Sequence, residues 1–290
     1  MVIPRGYNVA STDGRNVRGV IIGSVADDLP TSSTVVFEGI GKTFEDQVVV
    51  EQLDLSIRPG ELFGLIGPNG AGKTTTIKMA VGLLRPSTGR ILICGHDIQS
   101  DGTAARRRLG YVPDSAPLYE KLTGLEMLEL AADLHGISRE RRRRRIPALL
   151  EALDLEAAAG QLVQSYSRGM RQKLALCAAL MHDPAVLFLD EPTVGLDPQA
   201  ARQLKVMLRT LCATGHTVFL STHALDIASV LCDRVGIFNE GRLVAIGTVP
   251  ELERAAGSGT GVPGALESAF MKVTGGRDQE TSWLISALSA

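Results

Sequence analysis

An eight-residue stretch in the first third of the chain limits its fold more than any other feature. Residues 67–74 match the pattern G-x-x-x-x-G-K-[ST] and follow a short apolar run, residues 62–66, typical of a buried parallel strand. A helical pattern begins at Lys73 and is predicted to continue to about Leu84, stopping near Pro86. This strand–loop–helix order predicts an α/β core with a phosphate-binding loop. The alternative is a glycine-rich turn that precedes a lysine by chance.

The residue types of this loop suit a nucleoside triphosphate bound with magnesium. Glycines allow backbone N–H groups to surround phosphate oxygens, and the N-terminus of the following helix adds partial positive charge. We expect Lys73 to reach the β- and γ-phosphates, Thr74 to offer a hydroxyl to Mg²⁺, and Thr75 to contact the α-phosphate. The predicted phosphate-binding residues are Gly67, Pro68, Asn69, Gly70, Ala71, Gly72, Lys73, Thr74 and Thr75.

Two adjacent carboxylates end a second apolar run, residues 185–189. In a parallel sheet the carboxyl ends of strands gather at one edge, so Asp190 and Glu191 are expected beside the phosphate loop. Asp190 is then a candidate to hold Mg²⁺ through water, and Glu191 to orient and polarise the attacking water. A solvated turn after a core strand is the alternative, and without the phosphate loop it would be the better one.

Composition excludes several classes of function. The chain has 290 residues, of which 44% are hydrophobic and 21% charged, as in a globular protein, and its net charge of −2 gives no reason to expect nucleic acid as a partner. Its cysteines, with no C-x-x-C pair, indicate reduced thiols in a cytosolic protein. They are Cys94, Cys177, Cys212 and Cys232. The longest apolar stretch, residues 174–181, is too short to cross a bilayer. We therefore expect a protein that is soluble, or peripheral through a partner.

The patterns divide the chain into segments. Residues 1–34 are rich in small polar residues and are predicted to be a loosely ordered extension. An α/β core follows, interrupted by a helical insertion at about residues 115–183. Within the insertion, the basic run at residues 139–145 favours a solvated helix face over nucleic-acid or lipid binding, and Pro147 should start a new helix or kink this one. No motif in the sequence accounts for Trp283.

From residue 35 to residue 249 the chain resembles the ATPase subunits of ABC transporters. Residues 166–170 read Tyr-Ser-Arg-Gly-Met where the signature segment of this family usually reads Leu-Ser-Gly-Gly-Gln, which keeps Ser167 and Gly169. The resemblance implies that these two residues grip the γ-phosphate of ATP held by a second subunit. The variant is similar to the branch of exporters whose permeases are separate chains. An ordinary helix with Ser167 as its N-cap is the alternative.

Other positions match the family one by one. Asp197, in a Gly-Leu-Asp-Pro segment, resembles the D-loop aspartate that acts across the dimer interface, and His223 resembles the switch histidine that bonds the γ-phosphate. Phe44 stands where the family places an aromatic ring on adenine, with a core phenylalanine as the alternative. Asp114 departs from the family because a glutamine is expected there. A carboxylate could still contact Mg²⁺ or order the lytic water. The replacement therefore bears on the rate of hydrolysis and on coupling to the permease.

The resemblance implies a fold, an activity and partners. The fold is a P-loop NTPase core with a mainly parallel sheet, an N-terminal antiparallel β subdomain and a helical insertion subdomain. The ATPase domain covers residues 35–250, and the tail at 251–290 carries a short helix near 265–274. ATP and Mg²⁺ would be bound in a head-to-tail homodimer or heterodimer that drives export through a separate transmembrane permease from the inner face of the membrane. The implied catalytic residues are Lys73, Asp114, Glu191 and His223, and the implied Mg²⁺ ligands are Thr74, Asp114 and Asp190.

The sequence leaves three alternative functions open. A non-transport ABC ATPase would carry coiled-coil insertions, zinc modules or tandem ATPase domains, and the sequence has one phosphate loop and no cysteine cluster. A small-molecule P-loop kinase would lack the signature segment and the switch histidine. A regulatory ATPase subunit without its own cargo fits the same motifs.

Overall fold

Two sheets of different construction make up the core of the chain, seen in a computed structural model. The structure describes residues 8–9, 17–18, 33–194, 196, 198–256 and 264–274. The strands are β1 (Asn8–Val9), β2 (Val17–Arg18), β3 (Val35–Phe44), β4 (Gln47–Ile57), β5 (Leu62–Ile66), β6 (Thr88–Ile93), β7 (His96–Asp97), β8 (Leu109–Val112), β9 (Val186–Asp190), β10 (Thr217–Thr222), β11 (Arg234–Asn239) and β12 (Arg242–Gly247). The helices are α1 (Lys73–Ala80), α2 (Gly102–Arg106), α3 (Gly124–Leu134), α4 (Arg139–Ala152), α5 (Arg168–Leu180), α6 (Pro198–Ala213), α7 (Leu225–Leu231), α8 (Val249–Ala255) and α9 (Ala265–Thr274).

The larger sheet brings the phosphate loop and the acidic strand end to one edge. Its six strands run in the order β12-β11-β5-β10-β9-β8, and every pair is parallel except β11 with β12. Because β10 lies between β5 and β9, the carboxyl ends of these three strands are neighbours. The loop after β5 and the acidic residues at the end of β9 therefore meet.

Aromatic side chains of the central strands form the middle of the core. Every residue of β5, β9 and β10 is buried, as expected for parallel strands covered on both faces. The ring of Phe219 lies 5.6 Å from that of Phe63 and 5.4 Å from that of Phe188. Phe37 of the second sheet lies 6.1 Å from the same ring, so Phe219 contacts both sheets.

The second sheet is antiparallel, in the order β4-β3-β6-β7. With the parallel sheet and the helices between β8 and β9, it confirms the predicted P-loop NTPase class with an N-terminal antiparallel part and a helical insertion. A separate antiparallel pair, β1 with β2, lies in the predicted N-terminal extension, and the other residues before Ser33 are outside the described residues.

Side-chain caps fix where the inserted helices begin. Thr123 and Glu126 form a capping box at α3, and Ser138 and Ser167 accept hydrogen bonds from the first turns of α4 and α5. Pro147 lies inside α4 and does not start a new helix. The prediction for α1 was too long: it ends at Ala80, because Gly82 takes a left-handed φ of +75° that stops the helix.

The arginines of the basic run are largely neutralised within the insertion and its surroundings. Acidic partners of the same chain lie against four of them, which supports a structural helix face. These pairs are Arg141–Asp183, Arg142–Glu129, Arg142–Asp133, Arg144–Glu140 and Arg145–Asp183. Across the described ranges, no helix has the length and apolar character needed to cross a membrane.

Candidate active site

The phosphate loop connects β5 to α1 and requires glycine at two points. A Cβ added to Gly67 would lie 2.2 Å from the carbonyl oxygen of Phe238, and one added to Gly72 would lie 2.7 Å from that of Val49. Gly72 also has a left-handed φ of +104°. Pro68, Asn69, Gly70 and Thr74 are exposed, whereas Ala71, Gly72 and Lys73 are buried and Thr75 is half-buried. The loop is thus anchored on one side and open to a ligand on the other.

Lys73 extends back over the loop that precedes it. Its Nζ donates to the carbonyl oxygens of Gly67, at 2.7 Å, and Pro68, at 3.1 Å. The ammonium lies 3.6 Å from Oε1 of Glu191. Burial lowers the pKa of Lys73, and the neighbouring Glu191 carboxylate opposes this shift. The positive charge is therefore held where the loop and the acidic strand end meet.

Asp190 is 2% exposed and contacts two hydroxyls. Thr74 Oγ1 donates to Asp190 Oδ1 at 3.1 Å, and Ser221 Oγ donates to the same oxygen at 2.5 Å. Thr74 and Asp190, predicted separately from two motifs, are thus in direct contact. Sequence reasoning missed Ser221. The sequence signal that could have identified it is a small polar residue near the end of an apolar run. The structure pairs this residue with Asp190 in the parallel ladder.

Glu191 lies between two basic side chains. Its carboxylate Oε1 faces Lys73, and its Oε2 lies 3.0 Å from His223 Nδ1 and 3.3 Å from the backbone nitrogen of the same histidine. The backbone of Glu191 is left-handed, with φ of +48°, and its N–H donates to the carbonyl oxygen of Ser221 at 3.1 Å. An unusual backbone conformation at a reactive group fits a functional position.

Asp114 lies apart from this cluster. Its contact among the described residues is with Arg168, whose NH2 is 3.5 Å from Asp114 Oδ1. The structure does not bring Asp114 into hydrogen-bonding distance of Thr74 or Asp190 in the described part of the chain. For an Mg²⁺ ion next to the phosphate loop, Thr74 and Asp190 are therefore the better-placed ligands.

Ser167 and Gly169 open α5 on the surface of the insertion. Ser167 is exposed, and its Oγ accepts a hydrogen bond from the backbone N–H of Met170 at 3.2 Å. The N-cap that was the alternative to a role in ATP binding is therefore present, and it leaves the hydroxyl proton of Ser167 free to donate. A Cβ on Gly169 would meet Leu196 at the ordinary distance of 3.6 Å, so packing within this chain does not demand glycine there.

Phe44 is 44% exposed at the end of β3, which excludes a core phenylalanine. Lys42 Nζ lies 4.8 Å from the centre of its ring, so one aromatic face already attracts a cation. Asp197, the predicted D-loop residue, lies outside the described residues.

Comparisons with known proteins agree with this arrangement. Residues 50–194 match a protein family described as "ABC transporter". The chain is 44% identical over 211 residues to the Nod factor export ATP-binding protein I of Burkholderia pseudomallei, covering 73% of this chain and 69% of that protein. It is 41% identical over 220 residues to the daunorubicin/doxorubicin resistance ATP-binding protein DrrA of Streptomyces peucetius, covering 76% and 67%.

Solved structures of similar proteins show the same fold. An ATP-binding subunit of an ABC transporter superimposes with a TM-score of 0.77 at 35% identity, covering 83% of this chain and all of that one, 100%. A dimeric ATP-binding cassette in a post-hydrolysis state, bound to ADP and Pi, superimposes with a TM-score of 0.68 at 27% identity, covering 74% and 98%.

Proposed function

The chain belongs to the ABC transporter family as an ATP-hydrolysing subunit of the export type, and we propose that its hydrolytic centre is the cluster of Lys73, Glu191 and His223. One observation carries this proposal: the Glu191 carboxylate lies 3.6 Å from Lys73 Nζ and 3.0 Å from His223 Nδ1. Groups from three separate segments converge there beside an open phosphate loop. We assign this ATPase domain to residues 35–250.

The phosphate loop would hold the triphosphate. Its exposed backbone offers N–H groups, and Lys73 can exchange its bonds to the carbonyl oxygens of Gly67 and Pro68 for bonds to the β- and γ-phosphates. The neighbouring Thr75 hydroxyl would reach the α-phosphate. Phe44, exposed at the end of β3, would stack on the adenine ring.

Thr74 and Asp190 form a donor set that fits Mg²⁺. A hydroxyl and a carboxylate oxygen 3.1 Å apart are hard oxygen ligands, and magnesium in nucleotide sites uses few protein ligands of this kind. Ser221 would keep the Asp190 carboxylate in place through its bond to Oδ1. When bound, the ion would neutralise charge on the phosphate oxygens.

Glu191 would orient the attacking water and accept its proton. His223 Nδ1–H bonded to Oε2 would fix the carboxylate and direct Nε2 of the ring away from it, toward an incoming γ-phosphate. For Nε2 to donate to the γ-phosphate, both ring nitrogens must then carry hydrogen. Removing Glu191 would therefore disturb both water activation and His223.

A second subunit would complete each site. ABC ATPase subunits work as dimers with membrane permeases, and the exposed Ser167 and half-buried Gly169 at the start of α5 would meet ATP on a partner. Asp197 would act at the same interface. We propose that the dimer, made of two copies of this chain or of this chain and a relative, is held by a separate permease on the cytoplasmic face of the membrane.

Glu191→Gln tests this proposal. The amide keeps the size of the side chain but cannot accept the water proton, so we expect turnover to fall at least about 100-fold while ATP binding persists. In size-exclusion chromatography the variant should elute as a dimer with Mg²⁺-ATP and as a monomer without it. Glu151→Gln, on the exposed face of α4, is the matched control. Wild-type turnover in Glu191→Gln would refute the assignment.

Affinity purification from detergent-solubilised host membranes tests the partner. A polytopic membrane protein recovered in fixed ratio with this chain would support a separate permease. Recovery with soluble proteins alone would instead favour a non-transport ABC ATPase.

A further inference from the structure

An open groove lies outside the ATPase site, between α6 and α7. It has a volume of ≈ 470 Å³, and Val206 of α6 and Val230 of α7 line its two sides. Their side chains are 64% and 68% exposed. Isolated exposed apolar residues are common on protein surfaces. Here Val206 and Val230 line one groove together with buried Leu231, so the three side chains form an apolar surface.

Basic side chains border the same groove. Arg209 is ion-paired with Asp233, at 2.5 Å between NH1 and Oδ1. Lys205 has no ion-pair partner within the described part of the chain. An apolar groove with a basic border fits an occupant that carries bulky apolar side chains next to acidic ones.

The chain itself contains such a segment. Residues 275–290 follow α9, and they include the single tryptophan of the sequence, Trp283, followed by Leu284 and Ile285. Two acidic residues, Asp278 and Glu280, come shortly before it, and with Arg277 they give the side chains of residues 275–290 a net charge of −1. No part of the ATPase mechanism uses this segment, and its apolar residues are unusual for a polar tail.

The end of α9 places this segment within reach of the groove. α9 packs against α7, which forms one wall. From Thr274, where α9 ends, an extended chain reaches about 30 Å by Trp283. Since α9 and the groove both contact α7, whose diameter with side chains is about 10–12 Å, this length is enough to reach from one to the other. We propose that the tail of this chain folds back over α7, with Trp283 in the groove against Val206 and Val230 and with Glu280 near Lys205.

Intrinsic fluorescence tests this assignment without a label, because Trp283 is the single tryptophan. In the full chain we expect an emission maximum blue-shifted from that of free N-acetyltryptophanamide, and weak quenching by acrylamide. Val206→Asp combined with Val230→Asp should shift the emission to the red and increase quenching. Leu134→Asp, at a residue 78% exposed on α3, is the matched control and should leave both unchanged.

A milder pair of variants covers the case in which the two introduced aspartates disturb the local fold. Lys205→Glu should increase acrylamide quenching, and adding Glu280→Lys should restore it, because the exchange keeps opposite charges together. Wild-type emission identical to that of N-acetyltryptophanamide would overturn the proposal. A blue shift that disappears on dilution would also overturn it, since it would assign the groove to the tail of a second copy.

Discussion

Asp114 and Arg168 lie 3.5 Å apart, from Oδ1 to NH2, and connect the loop after β8 to the first residue of α5. Asp114 stands where the family has glutamine, and Arg168 directly follows Ser167. The two side chains are 54% and 58% exposed. The altered residue is thus linked to the signature segment of its own subunit, and Thr74 and Asp190 meet without it.

From this relationship we expect the Mg²⁺ dependence of the ATPase to require Asp190 and not Asp114. In Asp190→Asn the Mg²⁺ concentration for half-maximal ATPase should rise by about 10-fold or more, because a carboxylate beside Thr74 is lost. In Asp114→Asn it should stay unchanged. ATPase titrations with Mg²⁺ at saturating ATP measure both. An equal rise in the two variants would show that Asp114 is a ligand after all.

The same pair should contribute little to stability. Exposed ion pairs are worth about 0–1 kcal/mol, so Arg168→Gln and Asp114→Asn should each change the free energy of unfolding by less than about 1 kcal/mol. Urea unfolding of the single and double variants gives their coupling energy, which should fall as salt increases. A coupling well above this range would mean that the pair is structural.

Ser221→Ala tests the residue that sequence reasoning missed. Its hydroxyl donates to buried Asp190 and lies 3.3 Å from the backbone nitrogen of Glu191. Losing one donor to a buried carboxylate should lower the free energy of unfolding by about 1–3 kcal/mol and also reduce ATPase activity. Urea unfolding and steady-state turnover are the measurements. Ser229→Ala, which removes a hydroxyl bonded only locally to Asp226, is the control.

The sequence predicted what depends on local pattern, and missed what depends on distant contacts. The phosphate loop and the acidic strand end carry their signal in consecutive residues, and the burial of β5 and β9 follows from apolar runs. Ser221 meets Asp190 through strand register, at a separation of 31 residues, and Arg168 meets Asp114 at 54. Pairs of this kind are fixed by packing, which no local periodicity encodes.

Gly67→Ala should destabilise the protein through a steric clash. The new Cβ would lie 2.2 Å from the carbonyl oxygen of Phe238, a backbone atom that cannot rotate away. We expect a loss of about 1–3 kcal/mol in the free energy of unfolding, together with weaker ATP binding as the loop shifts. Gly160→Ala is the control, because nothing lies within 4 Å of its added Cβ and its φ is not left-handed. Denaturant unfolding and nucleotide titration separate the two effects.

His182 should make the protein less stable in acid. Its ring stacks on His135 at 3.9 Å between centres, and its Nε2 lies 2.9 Å from the carbonyl oxygen of Leu109. Burial, reinforced by His135, lowers the pKa of His182 to about 4, while Arg145 opposes and Asp183 favours its charged form. Burial also lowers the pKa of His135.

The sign of this effect follows from proton binding. Between about pH 6.5, where a histidine titrates in the unfolded chain, and about pH 4, the unfolded state binds the extra proton and the folded state does not. Stability is therefore full above pH 6.5 and declines as the pH falls toward 4, by about 1–2 kcal/mol after allowance for partial exposure. Urea unfolding at pH 7 and pH 5 measures this decline in stability. The decline should become smaller in His182→Gln, whereas His96→Gln, which lies outside the stacked pair of His182 and His135, should retain it. An unchanged decline in His182→Gln would place the acid sensitivity elsewhere.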